Sequence, residues 1–329
     1  VLCARRNDSP LLLGAIIPVF KAIKGLPPTL GSGAKSQIGR EGAALRNRLL
    51  NVYKTRLCRC KPRALESSEV AVTVAVFEEL MERQQGLKDS ILSSLTFEGA
   101  LCCLRSLKAG VDKGSDEGEA MAKALRRLMS AVEEFFSNKR SSGLTGKQVE
   151  ELTRRFPEVT STLLPVLVGA AAGGAPSDFL RCESFRLLAD ILSRHASLNA
   201  SSRAAAAEHG PRILKAAEEV LSGAIASPPD NKTEGQEQHG KEETTAKPSK
   251  PTGSDLSAGS PMLKAKRLKP VLLCLCALLK LPLGRGALRE QGLAGSVNTL
   301  RAVGEASPSM AMQALCERVS LQVQELLKG

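Results

Sequence analysis

The 329-residue sequence predicts an all-α protein, and three observations support that prediction. Hydrophobic residues make up 43% of the chain but aromatic residues only 3%, so a core must consist of leucine, alanine, valine and isoleucine, as in packed helices. Apolar residues recur on a 3.6-residue period along much of the chain. The sequence shows neither strand-like alternation nor a strand–helix rhythm, which favours stacked helical hairpins.

Residues 121–136 give the clearest helical pattern. Their apolar side chains form a single stripe on the helical period, and that stripe ends at Phe135 and Phe136. The opposite face holds charged residues, so this helix should pack by one side only. We therefore expect the two phenylalanines to face the core rather than a nucleic-acid partner.

A turn and two further helices follow this helix. Lys139 and Arg140 stand where the helix dipole is negative, just before a Ser-Ser-Gly turn. Thr145 and Gln148 have the spacing of a capping box, which predicts the start of a second helix. Pro157 ends that helix and can occupy the first turn of a third one.

The same periodicity predicts the remaining helices, joined mostly by short turns. They cover residues 9–24, 38–60, 68–85, 89–109, 178–195, 203–224, 263–281, 285–303 and 307–328. Three of the predicted helices begin near Pro10, Pro157 and Pro261, and each has a second proline about two turns later. This habit is typical of HEAT repeats, so we predict a HEAT/armadillo-like superhelical array, although the copies are unevenly spaced.

One long segment interrupts the array. Residues 227–262 are rich in Pro, Gly, Ser, Thr, Lys and Glu and contain almost no aliphatic side chain. Such a segment cannot bury enough apolar surface to offset its ordering entropy, so we predict a disordered loop. The predicted organisation is a helical array over 1–226, the loop, and C-terminal helices over 263–329 that continue the array.

No pattern indicates an enzyme, and we assign no catalytic, cofactor-binding or metal-binding residue. The segment GSGAKS at 31–36 lacks the glycine that a phosphate-binding loop places before its lysine. Nine cysteines lack the CxxC spacing of zinc sites, and the three histidines have no evident catalytic partner. The longest apolar run, from residue 271, is too short to span a bilayer. We expect a soluble protein in a reducing compartment, without a membrane partner or a small-molecule substrate.

Positive charge is concentrated near the N-terminus. Residues 1–63 carry 13 lysines and arginines against two acidic residues, whereas residues 64–120 carry five against 11. This polarity indicates an anionic partner, either nucleic acid or an acidic protein segment; a solvated basic face is the open alternative.

Residues 38–63 hold most of the candidate contacts. An apolar stripe of Leu45, Leu49, Val52, Tyr53 and Leu57 should face the core, which leaves cations on the flanks and at the C-terminal end. With the basic pairs near the turn at 137–156, the candidates for contact with an anionic partner are Arg46, Arg48, Lys54, Arg59, Lys61, Arg63, Lys139, Arg140, Arg154 and Arg155.

Three stretches carry a family resemblance. FFSNKRSSGLTGKQVEELTRRFPEVTSTLLPVLV resembles a segment of the Myb-binding protein 1A family, also called DNA polymerase phi and, in yeast, DNA polymerase V. SPLLLGAIIPVFKAIK and LRNRLLNVYKTRLCRCKP are similar to two earlier segments of that family, in the same order. The resemblance covers roughly residues 1–195.

The resemblance implies a scaffold of the nucleus and nucleolus that serves rRNA gene transcription and ribosome biogenesis. Its partners would be transcription factors and pre-ribosomal proteins, with rDNA or rRNA as further candidates. Direct DNA or RNA binding through basic helical edges is the alternative function. The polymerase name gains no support from these residues, because two-metal nucleotidyl transfer needs converging aspartates and the eight aspartates are scattered along the chain.

Overall fold

The computed structural model describes residues 11–27, 37–59, 65–87, 89–109, 115–137, 143–226, 261–281, 294–307 and 309–328. These residues form helices and turns without a β-strand, which confirms the all-α prediction for them. The α-helices are α1 (Leu11–Gly14), α2 (Ile16–Gly25), α3 (Gln37–Val52), α4 (Ser67–Gln84), α5 (Ser90–Lys108), α6 (Ser115–Phe136), α7 (Gly146–Arg155), α8 (Thr160–Gly169), α9 (Asp178–Ser193), α10 (Ala200–Ala226), α11 (Pro261–Leu278), α12 (Ala294–Glu305) and α13 (Met310–Lys328).

Prolines lie where the repeated pattern predicts them. Pro165 and Pro270 are inside α8 and α11, and Pro157 opens a single 3₁₀ turn before α8. Pro18 follows the break between α1 and α2 at Ala15. Because a proline clashes with the carbonyl group four residues earlier, Pro18 accounts for this break.

The helices form two compact units. The first consists of residues 1–167, 174–176 and 198–202, and the second of residues 168–173, 177–197 and 203–329. The division therefore falls inside the predicted array of residues 1–226. Helix α11 begins at Pro261, so the last two residues of the predicted loop are helical, while 227–260 lie outside the described residues.

Helix α5 is the central element of the first unit. It packs against α2, α4, α6 and α7, and 13 of its 19 residues are buried. Leu95, Leu101 and Leu104 have no exposed surface. Buried on nearly all sides, α5 provides the fixed support on which the surrounding helices are placed.

Helices α9 and α11 make the most extensive helix–helix contact of the second unit. The first residue of α9 lies beside the second turn of α11, because Arg267 of α11 forms an ion pair of 2.7 Å with Asp178 of α9. The Cys182 thiol also donates a hydrogen bond of 3.6 Å to the Arg267 carbonyl oxygen. Helix α13 packs on both α11 and α12.

The joint between α6 and α7 follows the sequence prediction closely. Phe136 is 4% exposed and Phe135 is half-buried, and their rings meet edge to face with centroids 5.0 Å apart. Thr145 and Gln148 form the predicted capping box at the start of α7. Lys139 and Arg140 lie outside the described residues.

The described helices differ from membrane spans in length and hydropathy. No single one is long and apolar enough to cross a bilayer. The pair Gly146–Arg155 and Pro157–Gly174 meets the requirement only when taken together, across a bend of 110°.

Candidate anion-binding surface

The basic helix α3 is anchored by one buried face that continues into a π-helical turn, Tyr53–Leu57. In this turn the amide of Cys58 donates to the carbonyl oxygen of Tyr53, five residues earlier. The wider turn brings Tyr53, Leu57 and Cys58 to the same buried side. The cations of this segment are thereby held on a rigid support.

Tyr53 joins α3 to the centre of the first unit. Its hydroxyl donates a hydrogen bond of 3.0 Å to the carbonyl oxygen of Leu95 in α5, and the ring is fully buried. Burial raises the pKa of the Tyr53 phenol far above its ordinary value, so the hydroxyl remains a donor. The hydroxyl fits here because residue 99 is glycine: a Cβ atom at Gly99 would lie 2.4 Å from it.

The carbonyl groups at the end of the π turn are bound by side chains of α5. The Cys102 thiol donates to the Leu57 carbonyl oxygen at 3.5 Å, and the Arg105 guanidinium donates to the carbonyl oxygen of Cys58. These groups would otherwise lack partners at a helix end. The contacts follow the same order along both segments, since Tyr53 pairs with Leu95, Leu57 with Cys102 and Cys58 with Arg105. The π turn at the end of α3 therefore runs roughly parallel to α5.

Arg46 is a structural residue, which corrects its assignment as a surface contact. Its side chain is 3% exposed, and its Nη2 lies 3.3 Å from Oδ2 of Asp89. Asp89 also caps α5, where its Oδ1 accepts from the amides of Ile91 and Leu92. Because Asp89 compensates the buried guanidinium charge, Arg46 faces the core while Leu45, predicted to be buried, is 48% exposed.

Three other predicted contacts of this segment are exposed, namely Arg48, Lys54 and Arg59. Arg56, which the sequence prediction omitted, is exposed as well. Within the described part of the chain, none of these four cations takes part in an ion pair. No acidic residue occurs between Glu41 and Glu66. We call these four residues the α3 cationic surface, although only Arg48 lies in α3 and the other three lie in the π turn or directly after it.

Helical spacing places part of this surface on one line. Leu45, Arg48, Val52 and Arg56 follow one another at steps of three and four residues, so they are neighbours on the helix surface. Leu45 is half-exposed and Val52 is half-buried, and thus apolar groups alternate with cations. Because Val52 was assigned to the buried stripe, the spacing of four residues predicted Arg56 to face the core, and no sequence signal indicated its exposure.

The predicted contacts on α7 have a different environment. Arg154 pairs with Glu150 at 2.6 Å, and Arg155 pairs with Glu151 at 2.6 Å and with Glu98 of α5 at 3.4 Å. Local carboxylates balance these two charges. The predicted contacts Lys61, Arg63, Lys139 and Arg140 lie outside the described residues, as does the segment 31–36.

In the described residues, no three His, Cys, Asp or Glu side chains are grouped so that they could hold a metal ion. A groove of about 500 Å³ between α12 and α13 is lined by Leu300, Cys316 and Leu321, among others. Burial raises the pKa of the Cys316 thiol, which disfavours the nucleophilic thiolate there.

Fold and surface together define a protein of packed helices that, in its described residues, presents exposed cations without an ion-pairing carboxylate at the end of α3. The chain is similar to Myb-binding protein 1A of Mus musculus, with 25% identity over 191 residues that cover 53% of this chain. It is also similar to Myb-binding protein 1A of Rattus norvegicus, with 24% identity over 197 residues and the same coverage. The chain spans 14% of the length of either relative, and neither is named as a polymerase.

Two other comparisons gave no match. No protein-family model matches the chain. No solved structure matches it either.

Proposed function

We propose that this chain is part of a non-enzymatic nuclear scaffold that binds transcription-related proteins. The observation that supports this function most is the similarity to two Myb-binding proteins over 53% of the chain. Stacked helices suit the role, because they offer extended surfaces without a catalytic centre. In this proposal the two units belong to one HEAT/armadillo-like array.

A finer assignment rests on the three segments that resemble the Myb-binding protein 1A family. It places the scaffold in the nucleolus, where it would serve rRNA gene transcription and ribosome biogenesis. Partners would then include transcription factors and pre-ribosomal proteins, and the loop around residues 227–262 would connect parts of the array.

Direct binding to rDNA or rRNA is a second candidate function, favoured by the α3 cationic surface. Lys and Arg side chains that neutralise phosphates make affinity fall steeply as salt rises. Titration of the purified chain with RNA and with duplex DNA at two salt concentrations tests it. Salt-sensitive binding supports this candidate, and its absence excludes it.

The proposal of a non-enzymatic role is supported by the positions of the aspartates. The described Asp89, Asp178 and Asp190 each pair with an arginine and stabilise helix ends or helix contacts. A primer-extension assay tests this proposal. Nucleotide incorporation that increases with the concentration of the purified chain would contradict it.

Affinity purification from nuclear extract, with and without nuclease, tests the scaffold function itself. We expect the chain to recover transcription-related proteins, with a nuclease-resistant fraction that marks direct protein contacts. If the chain recovers no nuclear protein above the level of an unrelated helical control, the proposed function is wrong.

A further inference from the structure

We infer that the α3 cationic surface is a docking site for an acidic amphipathic helix of a partner protein. The inference rests on the proposed scaffold function and names the chemistry of one partner. It concerns Arg48, Lys54, Arg56 and Arg59 together with the apolar side chains of Leu45 and Val52. Its charge, its exposed apolar side chains and the burial of Tyr53 support this inference.

The surface carries positive charge that the described residues do not compensate. Its four exposed cations have no acidic neighbour along the chain between residues 41 and 66, and the described residues place no carboxylate in an ion pair with them. By contrast, Arg154 and Arg155 on α7 are balanced by glutamates of the same unit. Cations that the protein leaves uncompensated are complementary to an anionic partner.

Apolar side chains lie between the cations of this surface. Leu45 is 48% exposed and Val52 is half-buried, and both are adjacent to Arg48 on the helix. A partner that supplies only phosphates would leave these apolar groups in water. An amphipathic helix can bury leucines against them while its acidic residues reach the flanking arginines.

The burial of Tyr53 favours a peptide over a single-stranded nucleic acid as the partner. Binding of unpaired bases uses aromatic side chains as stacking platforms. The one tyrosine of the chain, Tyr53, is buried behind this surface and has no exposed area. The line from Leu45 to Arg56 extends over about 16 Å at 1.5 Å per residue, which fits about three turns of a partner helix.

A fluorescence anisotropy titration tests the inference. The probe is a labelled helical peptide of about 20 residues with leucines at i, i+3, i+4 and i+7 and glutamates elsewhere. We expect saturable binding that weakens as salt rises, and binding on the order of 10-fold weaker for a scrambled peptide of the same composition.

Matched variants locate the site. Charge reversal by the combined substitutions Arg48→Glu, Arg56→Glu and Arg59→Glu should weaken peptide binding on the order of 10-fold or more. Reversal of three exposed cations on α10, Arg203→Glu, Arg212→Glu and Lys215→Glu, changes the net charge equally and should leave binding unchanged. Leu45→Gln should weaken binding roughly threefold through the lost apolar contact.

Two results would overturn the inference. One is equal peptide affinity for the α3 and α10 reversals, which would mean non-specific charge attraction. The other is binding of RNA or duplex DNA that depends on the α3 cations and is tighter than that of the peptide, which would assign the surface to nucleic acid. Either result leaves the nuclear-extract test of the scaffold function standing, so the two failures can be distinguished.

Discussion

The hydroxyl of Tyr53 donates a hydrogen bond of 3.0 Å to the carbonyl oxygen of Leu95, in the interior of the first unit. Leu95 is the sixth of the 19 residues of α5, where carbonyl groups are normally occupied by the helix itself. The phenol can approach because Gly99, one turn further along, has no side chain. This contact fixes the support from which the α3 cationic surface is presented.

Gly99→Ala should destabilise the first unit although alanine is the better helix former. The added Cβ would lie 2.4 Å from the Tyr53 hydroxyl oxygen and 2.9 Å from Cδ1 of Leu80. We expect a net loss of about 1–2 kcal/mol in the free energy of unfolding, since overpacking exceeds the gain in helix propensity. Urea denaturation followed by circular dichroism measures it.

Gly118 of α6 provides the matched control. A Cβ atom at this position would meet no other atom within 4 Å, so Gly118→Ala should be neutral or stabilising by up to about 1 kcal/mol. In the background of Tyr53→Phe, which removes the hydroxyl, the Gly99→Ala change should cost less. An unchanged cost in that background would contradict the close approach.

The pair of buried Arg46 and partly exposed Asp89 predicts an asymmetric response to mutation. Asp89→Asn keeps a helix-capping oxygen but leaves the Arg46 guanidinium buried without a counter-charge. We expect a loss of about 2–3 kcal/mol, and a much smaller loss when Asp89→Asn is combined with Arg46→Met. If chemical denaturation gives the same loss in both backgrounds, Arg46 is not a buried partner of Asp89.

Gly143 should be intolerant of a side chain for two separate reasons. Its φ of +61° is a left-handed conformation, and a Cβ atom would lie 2.0 Å from the Gln84 carbonyl oxygen. The carbonyl oxygen of Gly143 also accepts a hydrogen bond of 2.7 Å from the Gln84 side chain. Gly143→Ala should therefore cost about 3 kcal/mol or more.

A substitution at Gly86 distinguishes the effect of the left-handed conformation from the effect of the close contact. It has a φ of +75°, but a Cβ atom there would meet nothing within 4 Å. Gly86→Ala should cost only the conformational strain of about 1 kcal/mol. Equal thermal shifts for the Gly86 and Gly143 variants would show that the contact with Gln84 does not form.

Thiol labelling tests the packing of the second unit. Cys274 is fully buried and Cys182 is half-buried, and burial raises the pKa of both thiols. Near pH 8 we expect Cys182 to react with a maleimide more slowly than free cysteine, and Cys274 to react only on unfolding. Mass spectrometry of labelled peptides measures both rates. Comparable native rates for the two thiols would contradict the packing of α11.

The same burial sets the sign of a pH effect. Because the folded state holds the Cys274 thiol protonated, its contribution to stability is complete below the ordinary thiol pKa of 9.0 and declines as the pH rises above it. Cys274→Ala should make unfolding less sensitive to pH between about 9 and 11. An unchanged slope would show that Cys274 is accessible to water in the folded chain.

Local patterns were sufficient to predict most helices of the described chain. The capping box of Thr145 and Gln148 and the apolar stripe of α6 depend only on residues close in sequence, and both are present. The orientation of α3 was predicted wrongly at residues 45 and 46. Periodicity favours burying the leucine, but the carboxylate of Asp89, 43 residues away, compensates Arg46 instead.

The candidate surface could also be predicted only in part, because it depends partly on contacts between residues far apart in the sequence. Exposure of Arg48, Lys54 and Arg59 follows from helical spacing, whereas the π turn that orients Arg56 depends on contacts with α5. The role of Gly99 likewise becomes clear only when Tyr53 lies beside it. Such long-range contacts leave no periodic signal in a sequence.

Quantitative purification from nuclear extract with the two charge-reversal variants tests the central claim most directly. We predict that the wild-type chain and the variant with Arg203, Arg212 and Lys215 reversed recover the same transcription-related proteins, and that reversal of Arg48, Arg56 and Arg59 selectively loses those with acidic amphipathic segments. Equal recovery by both variants would contradict the claim that α3 is the partner-binding surface of this scaffold.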